Sequence, residues 1–125
     1  MRKDEPGVKA TKHQFLKTVG SELLAWSVPR LWDLARDIPV ETVPVKQFEP
    51  FLATSSCRFW SGEQPSGLEI ASYVGRIMEA DLAYPIILTA EDDVMDGFHR
   101  ILKAWAVGLD EIRAVRFRET PAPDA

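Results

Sequence analysis

The chain is nearly without cysteine: Cys57 is the only one in 125 residues. A single thiol excludes an intrachain disulfide and leaves no paired-cysteine zinc knuckle or dithiol redox motif. Cys57 is therefore expected to pack as a small hydrophobe. Long apolar runs are missing too. The longest, such as residues 84–88, fall far short of the roughly 20 residues that span a bilayer, so no transmembrane segment is expected. No apolar stretch follows the cations of Met1-Arg2-Lys3-Asp4-Glu5-Pro6. That start does not read as a secretory signal, and the cytoplasm is the expected compartment. HExxH, GxSxG and P-loop motifs are absent, and His13 has no second histidine or carboxylate at ligand spacing. An excess of positive charge is also lacking. With a formal charge of -4, bulk attraction to nucleic acid is not expected, and DNA binding by the chain alone is disfavoured.

What is present is ordinary for a folded protein: 46% hydrophobic and 27% charged residues, in a length that suits one small domain. Residues 1–10 are polar and expected to be flexible, as is the tail 119–125, which contains Pro121-Ala122-Pro123. Residues 11–118 then form the domain. In residues 11–26, Phe15, Leu16, Val19, Leu23 and Leu24 recur at helical spacing, which predicts an amphipathic helix capped by Thr11. A second helix is predicted over 28–35, with Ser27 as its cap and Pro29 in its first turn. Residues 38–45 are β-branched but hold Pro39 and Pro44, so they read as an edge strand.

The irregular, aromatic-rich stretch 48–67 contains Phe48, Phe51, Phe59 and Trp60, and long loops of this kind are often functional. Its aromatics serve either as a mini-core or, with Trp60 lining a pocket, as ligand contacts. Residues 66–83 read as a helix with Leu68, Ile70, Ala71, Val74, Ile77, Met78 and Leu82 turned inward. A tight hairpin follows: a strand over 84–89, an acidic turn at 90–93 and a returning strand over 94–96. Residues 97–107 have helical spacing and end at Gly108, and a last strand over 111–117 alternates apolar and cationic residues. The expected fold is a single α+β domain with a small mixed sheet, packed with helices and carrying extra helices at the amino terminus.

The segment Asp96-Gly97-Phe98-His99-Arg100 is the candidate site. Where a strand runs into a helix, the first N–H groups lack intrahelical partners and the helix dipole adds positive character, which together attract anions. His99 and Arg100 lie in the same first turn, and Arg100 offers a planar fork suited to phosphate. Asp96 is discordant beside a phosphate. Its roles are to bind magnesium, to accept from a ribose hydroxyl or to orient Arg100; the plainer reading makes it the helix N-cap. Arg113, Arg116 and Arg118 form either a solvated row or, through Arg116, an extension of the anion site.

Residues 84–117, with Pro85-Ile86-Ile87-Leu88, the box Val94-Met95-Asp96-Gly97-Phe98-His99-Arg100, Gly108-Leu109-Asp110-Glu111-Ile112 and Ala114-Val115, resemble the ParB/sulfiredoxin-like domain. Val43-Pro44-Val45 is similar to that family's opening strand. The resemblance covers about half of the chain, and the DGxHR box is its one fairly specific motif. It implies a small, single-domain bacterial member that cradles a nucleotide phosphate on Gly97, Phe98, His99 and Arg100, with a nucleoside di- or triphosphate and magnesium as cofactors. Sulfiredoxin chemistry needs a cysteine where Phe98 stands. The chain ends soon after the final strand, without the helix-turn-helix of partitioning proteins, so centromere binding is not expected. The box also resembles that of free-serine kinases, which implies phosphotransfer with Glu49 as the base; Glu49 otherwise reads as one of many solvated carboxylates. A non-enzymatic protein- or nucleic-acid-interaction module, a ParB-like nuclease, and a homodimer or protein partner all remain open at this point.

Overall fold

The computed structural model describes residues 14–54 and 65–124. The expectations for Thr11, His13, Cys57, Phe59 and Trp60 lie outside the described residues. The order of elements is β1 (Gln14–Val19), β2 (Glu22–Ser27), α1 (Val28–Leu34), β3 (Glu41–Pro44), a 3-10 turn (Val45–Phe48), α2 (Glu49–Thr54), α3 (Gly67–Glu79), β4 (Ile86–Leu88), β5 (Val94–Asp96), α4 (Phe98–Ala106) and β6 (Glu111–Arg116). Two sheets form: the β1–β2 hairpin and a four-stranded sheet in the order β3-β6-β4-β5. The chain is thus mixed α and β, as the pattern of residues implies. No helix among the described residues is long and apolar enough to cross a membrane.

The chain folds as two compact units. One takes the described residues up to Pro39, Ile87–Asp96 and the chain from Val115; the other takes Val40–Ile86 and Gly97–Ala114. In the first unit the amino-terminal prediction needs correction. Residues 14–27 form an antiparallel hairpin, not a helix, with Val19 opposite Glu22 across a two-residue turn at Gly20-Ser21. Gly20 has φ 63°, the conformation that two-residue hairpin turns require at their first central position. Of the five apolar positions whose spacing suggested a helix, Phe15 and Leu24 pack against the core, while Leu16, Val19 and Leu23 are exposed on the hairpin.

The helix that follows forms as predicted, with Ser27 accepting from the Arg30 N–H and Pro29 in its first turn. Trp26, Val28, Leu31 and Ala35 pack with Ile87, Met95, Val115 and Phe117 as the core of this unit. The hairpin between β4 and β5 closes over Thr89, a buried residue whose hydroxyl accepts from the Glu91 and Asp93 N–H groups. Residues 119–124, read from the sequence as a free tail, are hydrogen-bonded here. The Trp26 indole donates to the Pro121 carbonyl, and Asp124 accepts from the Ser27 N–H and the Arg30 guanidinium.

In the second unit β3 pairs antiparallel with the first four residues of β6, from Glu41 opposite Ala114 to Pro44 opposite Glu111. β3 stands at one end of the strand order, so its proline occupies an edge. Helix α3 begins with a capping box: the Ser66 hydroxyl accepts from the Glu69 N–H while the Glu69 carboxylate accepts from the Ser66 N–H. Its predicted inner face is a second correction. Leu68, Ile70, Val74 and Met78 are exposed, and the buried side chain is Tyr73. Lys103 of α4 donates to the Met78 and Ala80 carbonyls and so satisfies the carboxyl end of α3. Helix α4 ends in a Schellman arrangement, with Gly108 at φ 78° and the Gly108 and Leu109 N–H groups donating to the Trp105 and Ala104 carbonyls.

Candidate functional site

Strand β5 stops at Asp96 and α4 starts at Phe98, leaving Gly97 as the N-cap at φ 120°. A glycine cap brings no side chain to the first N–H groups of the helix, and no side-chain hydrogen bond caps this one. That leaves the helix start to backbone donors and to whatever the first turn supplies.

Two features of the structure require glycine here. Besides the positive φ, a β-carbon would fall inside contact distance of Ile86 Cγ2 and 2.8 Å from Ile86 Cβ. Glycine is thus required by the close approach of Ile86, a buried residue of β4. On the same measure the Arg100 Nη2 lies 3.3 Å from that β-carbon position. The guanidinium is folded back over the helix start, where the backbone donors converge. Phe98, His99 and Arg100 are all half-buried, and the His99 Nε2 and Arg100 Nε atoms are shielded from solvent.

Two aromatic contacts fix this turn within its unit. The Phe98 ring meets Phe51 of α2 edge to face, with centroids 5.9 Å apart. The His99 ring meets Tyr73 of α3 in the same manner at 6.0 Å. Phe51 lies two residues after Glu49, the first residue of α2, so the helix that carries Glu49 is docked on the box through this pair of rings. Glu49 itself is exposed, at a helix amino terminus that favours a carboxylate.

Asp96 is not the cap of α4, because Gly97 holds that position. Within the first unit, the Asp96 carboxylate accepts from the Trp32 indole N–H at 3.0 Å. Arg116 also belongs to the first unit, where its guanidinium donates to the Asp92 carboxylate of the acidic turn. Asp92 adopts φ 73°, which carboxylate residues tolerate better than most. Trp60 and most of the loop 54–67 lie outside the described residues.

The sequence reading missed Tyr73 as a neighbour of His99 and Trp32 as a partner of Asp96. Tyr73 sits off the apolar stripe of α3 that periodicity selects, and Trp32 is 64 residues from Asp96. Neither contact leaves a signal in local spacing. Tyr73 also lines a cleft of about 240 Å³ together with Leu68, Glu69, Ser72 and Arg76, all on α3. Among the described residues no group of three or more His, Cys, Asp or Glu side chains is placed to hold a metal ion.

Comparison with family models, with curated proteins and with solved structures finds no match for this chain.

Proposed function

We propose that the chain is a small ParB/sulfiredoxin-like protein that binds the phosphates of a nucleoside di- or triphosphate at the start of α4. The observation that carries this reading is the Arg100 guanidinium folded over a glycine N-cap, within 3.3 Å of the place a β-carbon would occupy. A cationic fork, a helix dipole and first-turn N–H groups then act on the same small volume, the combination that favours an anion. His99, steadied by Tyr73, adds a ring nitrogen to this turn. Bound magnesium would neutralise phosphate charge. It is normally held by the phosphates with one or two carboxylates, and Asp96 is the carboxylate next to the box along the chain.

As a phosphotransferase, the protein would bring an acceptor hydroxyl to the terminal phosphoryl group. The hydroxyl oxygen would form the new P–O bond as its proton passes to the Glu49 carboxylate. The bond to the bridging oxygen would break and the shortened nucleotide would leave with that electron pair, while Arg100 stabilises the charge in transit. The docking of Phe51 on Phe98 supports this assignment, since it ties the helix of Glu49 to the box.

Melting curves with CTP, ATP, ADP and NAD, with and without magnesium, test the binding step. At a hundredfold excess over its dissociation constant a ligand stabilises by about 2.7 kcal/mol, a clear upward shift. Arg100→Ala is expected to abolish that shift while the empty protein melts nearly as before. A flat response from the unaltered protein to every nucleotide overturns the reading. For the chemistry, Glu49→Gln should keep the nucleotide-induced shift and lose turnover; undiminished turnover removes Glu49 from the mechanism.

A second reading, a non-enzymatic interaction module, is favoured by one observation: the apolar side chains of Leu68, Ile70, Val74 and Met78 that α3 leaves exposed. A nucleotide response that depends on Arg100 would separate the two.

A further inference from the structure

Tyr73 is shared between two features of the second unit. It is buried, at 7% exposure, its ring edge meets His99 of the box, and it forms part of the wall of the α3 cleft. The volume of that cleft, about 240 Å³, is below the roughly 300–1,000 Å³ of sites that enclose a whole drug-sized ligand. It is suited to one part of a ligand whose remainder lies elsewhere.

The chemistry of the lining is mixed. Leu68, 82% exposed, presents an apolar surface at the rim. Arg76 contributes a planar guanidinium, which stacks on aromatic rings and donates to ring and carbonyl acceptors. Ser72 contributes a hydroxyl that both donates and accepts. Glu69 contributes a carboxylate that accepts from the Ser66 N–H in the capping box, which restricts its motion. A carboxylate suits sugar hydroxyls, and a guanidinium beside an apolar side chain suits a heteroaromatic ring. A bare polyphosphate would instead meet Glu69 as a like charge.

We infer that the α3 cleft is the nucleoside half of a nucleotide site whose phosphate half is the helix start at Gly97, with Tyr73 as the wall common to both. This rests on the phosphate reading of the box and goes beyond it by assigning the base and sugar to Leu68, Glu69, Ser72 and Arg76. In this arrangement the box supplies attraction to phosphate of any kind, and the cleft supplies the preference for a nucleotide over inorganic anions.

Titration calorimetry with magnesium-ATP, magnesium-CTP and inorganic tripolyphosphate as probes tests the two halves separately. The unaltered protein is expected to bind at least one of the nucleotides about tenfold or more tightly than tripolyphosphate, a difference of roughly 1.4 kcal/mol or more. Ser72→Trp, which fills the cleft from an exposed helix position, should remove that preference and leave tripolyphosphate binding unchanged, whereas Val74→Trp, exposed on the same helix but outside the lining of the cleft, should retain it. Leu68→Trp at the rim gives the same answer if Ser72→Trp does not fold. Equal affinity of the unaltered protein for tripolyphosphate and both nucleotides overturns the inference while the phosphate site stands. So does a preference that survives both Ser72→Trp and Leu68→Trp, or a loss that falls equally on all probes. If the unaltered protein binds none of them, the phosphate reading fails and the cleft assignment falls with it.

Discussion

At Gly97 a side chain would violate two constraints at once, the φ of 120° and the space taken by Ile86. Gly97→Ala is therefore expected to destabilise by about 2–6 kcal/mol, the sum of a strained backbone and an overpacked contact. Denaturant unfolding measures the loss. In combination with Ile86→Ala, which removes the opposing Cγ2, the loss should be smaller than the sum of the two single losses; simple additivity would show that this Cγ2 is not the obstacle. Gly20 shows what backbone strain costs by itself. A β-carbon there meets open space, so an alanine would bear only the left-handed conformation, on the order of 1–2 kcal/mol. Two glycines with positive φ thus do different jobs: one lets a chain turn, the other lets a strand and a helix start touch.

Among the elements, α3 carries the clearest conflict between pattern and burial. Its apolar residues recur at helical spacing and its capping box marks the amino end, so a helix was legible from residues 66–69 onward. Which face would be covered was not legible, because periodicity describes one helix and burial depends on its neighbours. Contact with α4, the Lys103 bonds to its carboxyl end and the Tyr73–His99 contact place Tyr73 and Ala80 inward, along with Ile77, which the pattern had also turned inward. Leu68→Gln and Val74→Glu should accordingly change the unfolding free energy by less than about 0.5 kcal/mol, as surface substitutions usually do. A loss of several kcal/mol in either would mean that the face is covered in solution.

The β1–β2 hairpin was missed for a related reason. Phe15, Leu16, Val19, Leu23 and Leu24 satisfy a helical template, and the discriminating signal was the Gly20-Ser21 pair at the centre of the run. By contrast the strand-to-helix joint at 96–98, the β4–β5 hairpin and the Gly108 cap were legible, because each is marked by local turn residues. The same division applies to the site. Gly97, His99 and Arg100 share one turn, so spacing groups them; Tyr73, Phe51 and Trp32 reach their partners through tertiary packing that spacing does not record.

At the scale of the whole molecule, the chain before Pro39 has a structural purpose within its unit. Trp26, Val28, Leu31 and Ala35 make up half of the buried cluster completed by Ile87, Met95, Val115 and Phe117. A chain beginning at Val40 would leave those four without their cover. Residues 40–125 alone are expected to bind a hydrophobic dye and to lose near-ultraviolet circular dichroism; a well-ordered shortened chain would show that this cluster is dispensable. In the full chain Leu31→Ala, at a fully buried position, should cost about 2–5 kcal/mol.

The bond from the Trp32 indole to Asp96 has one more consequence. Indole emission responds to the polarity and charge around the ring, and this ring is hydrogen-bonded to the carboxylate one peptide bond upstream of Gly97. A rearrangement of the backbone at that joint would alter the acceptor of an emitting group. Trp32 is thereby a native fluorophore whose emission reports on the Asp96 carboxylate that it is bonded to.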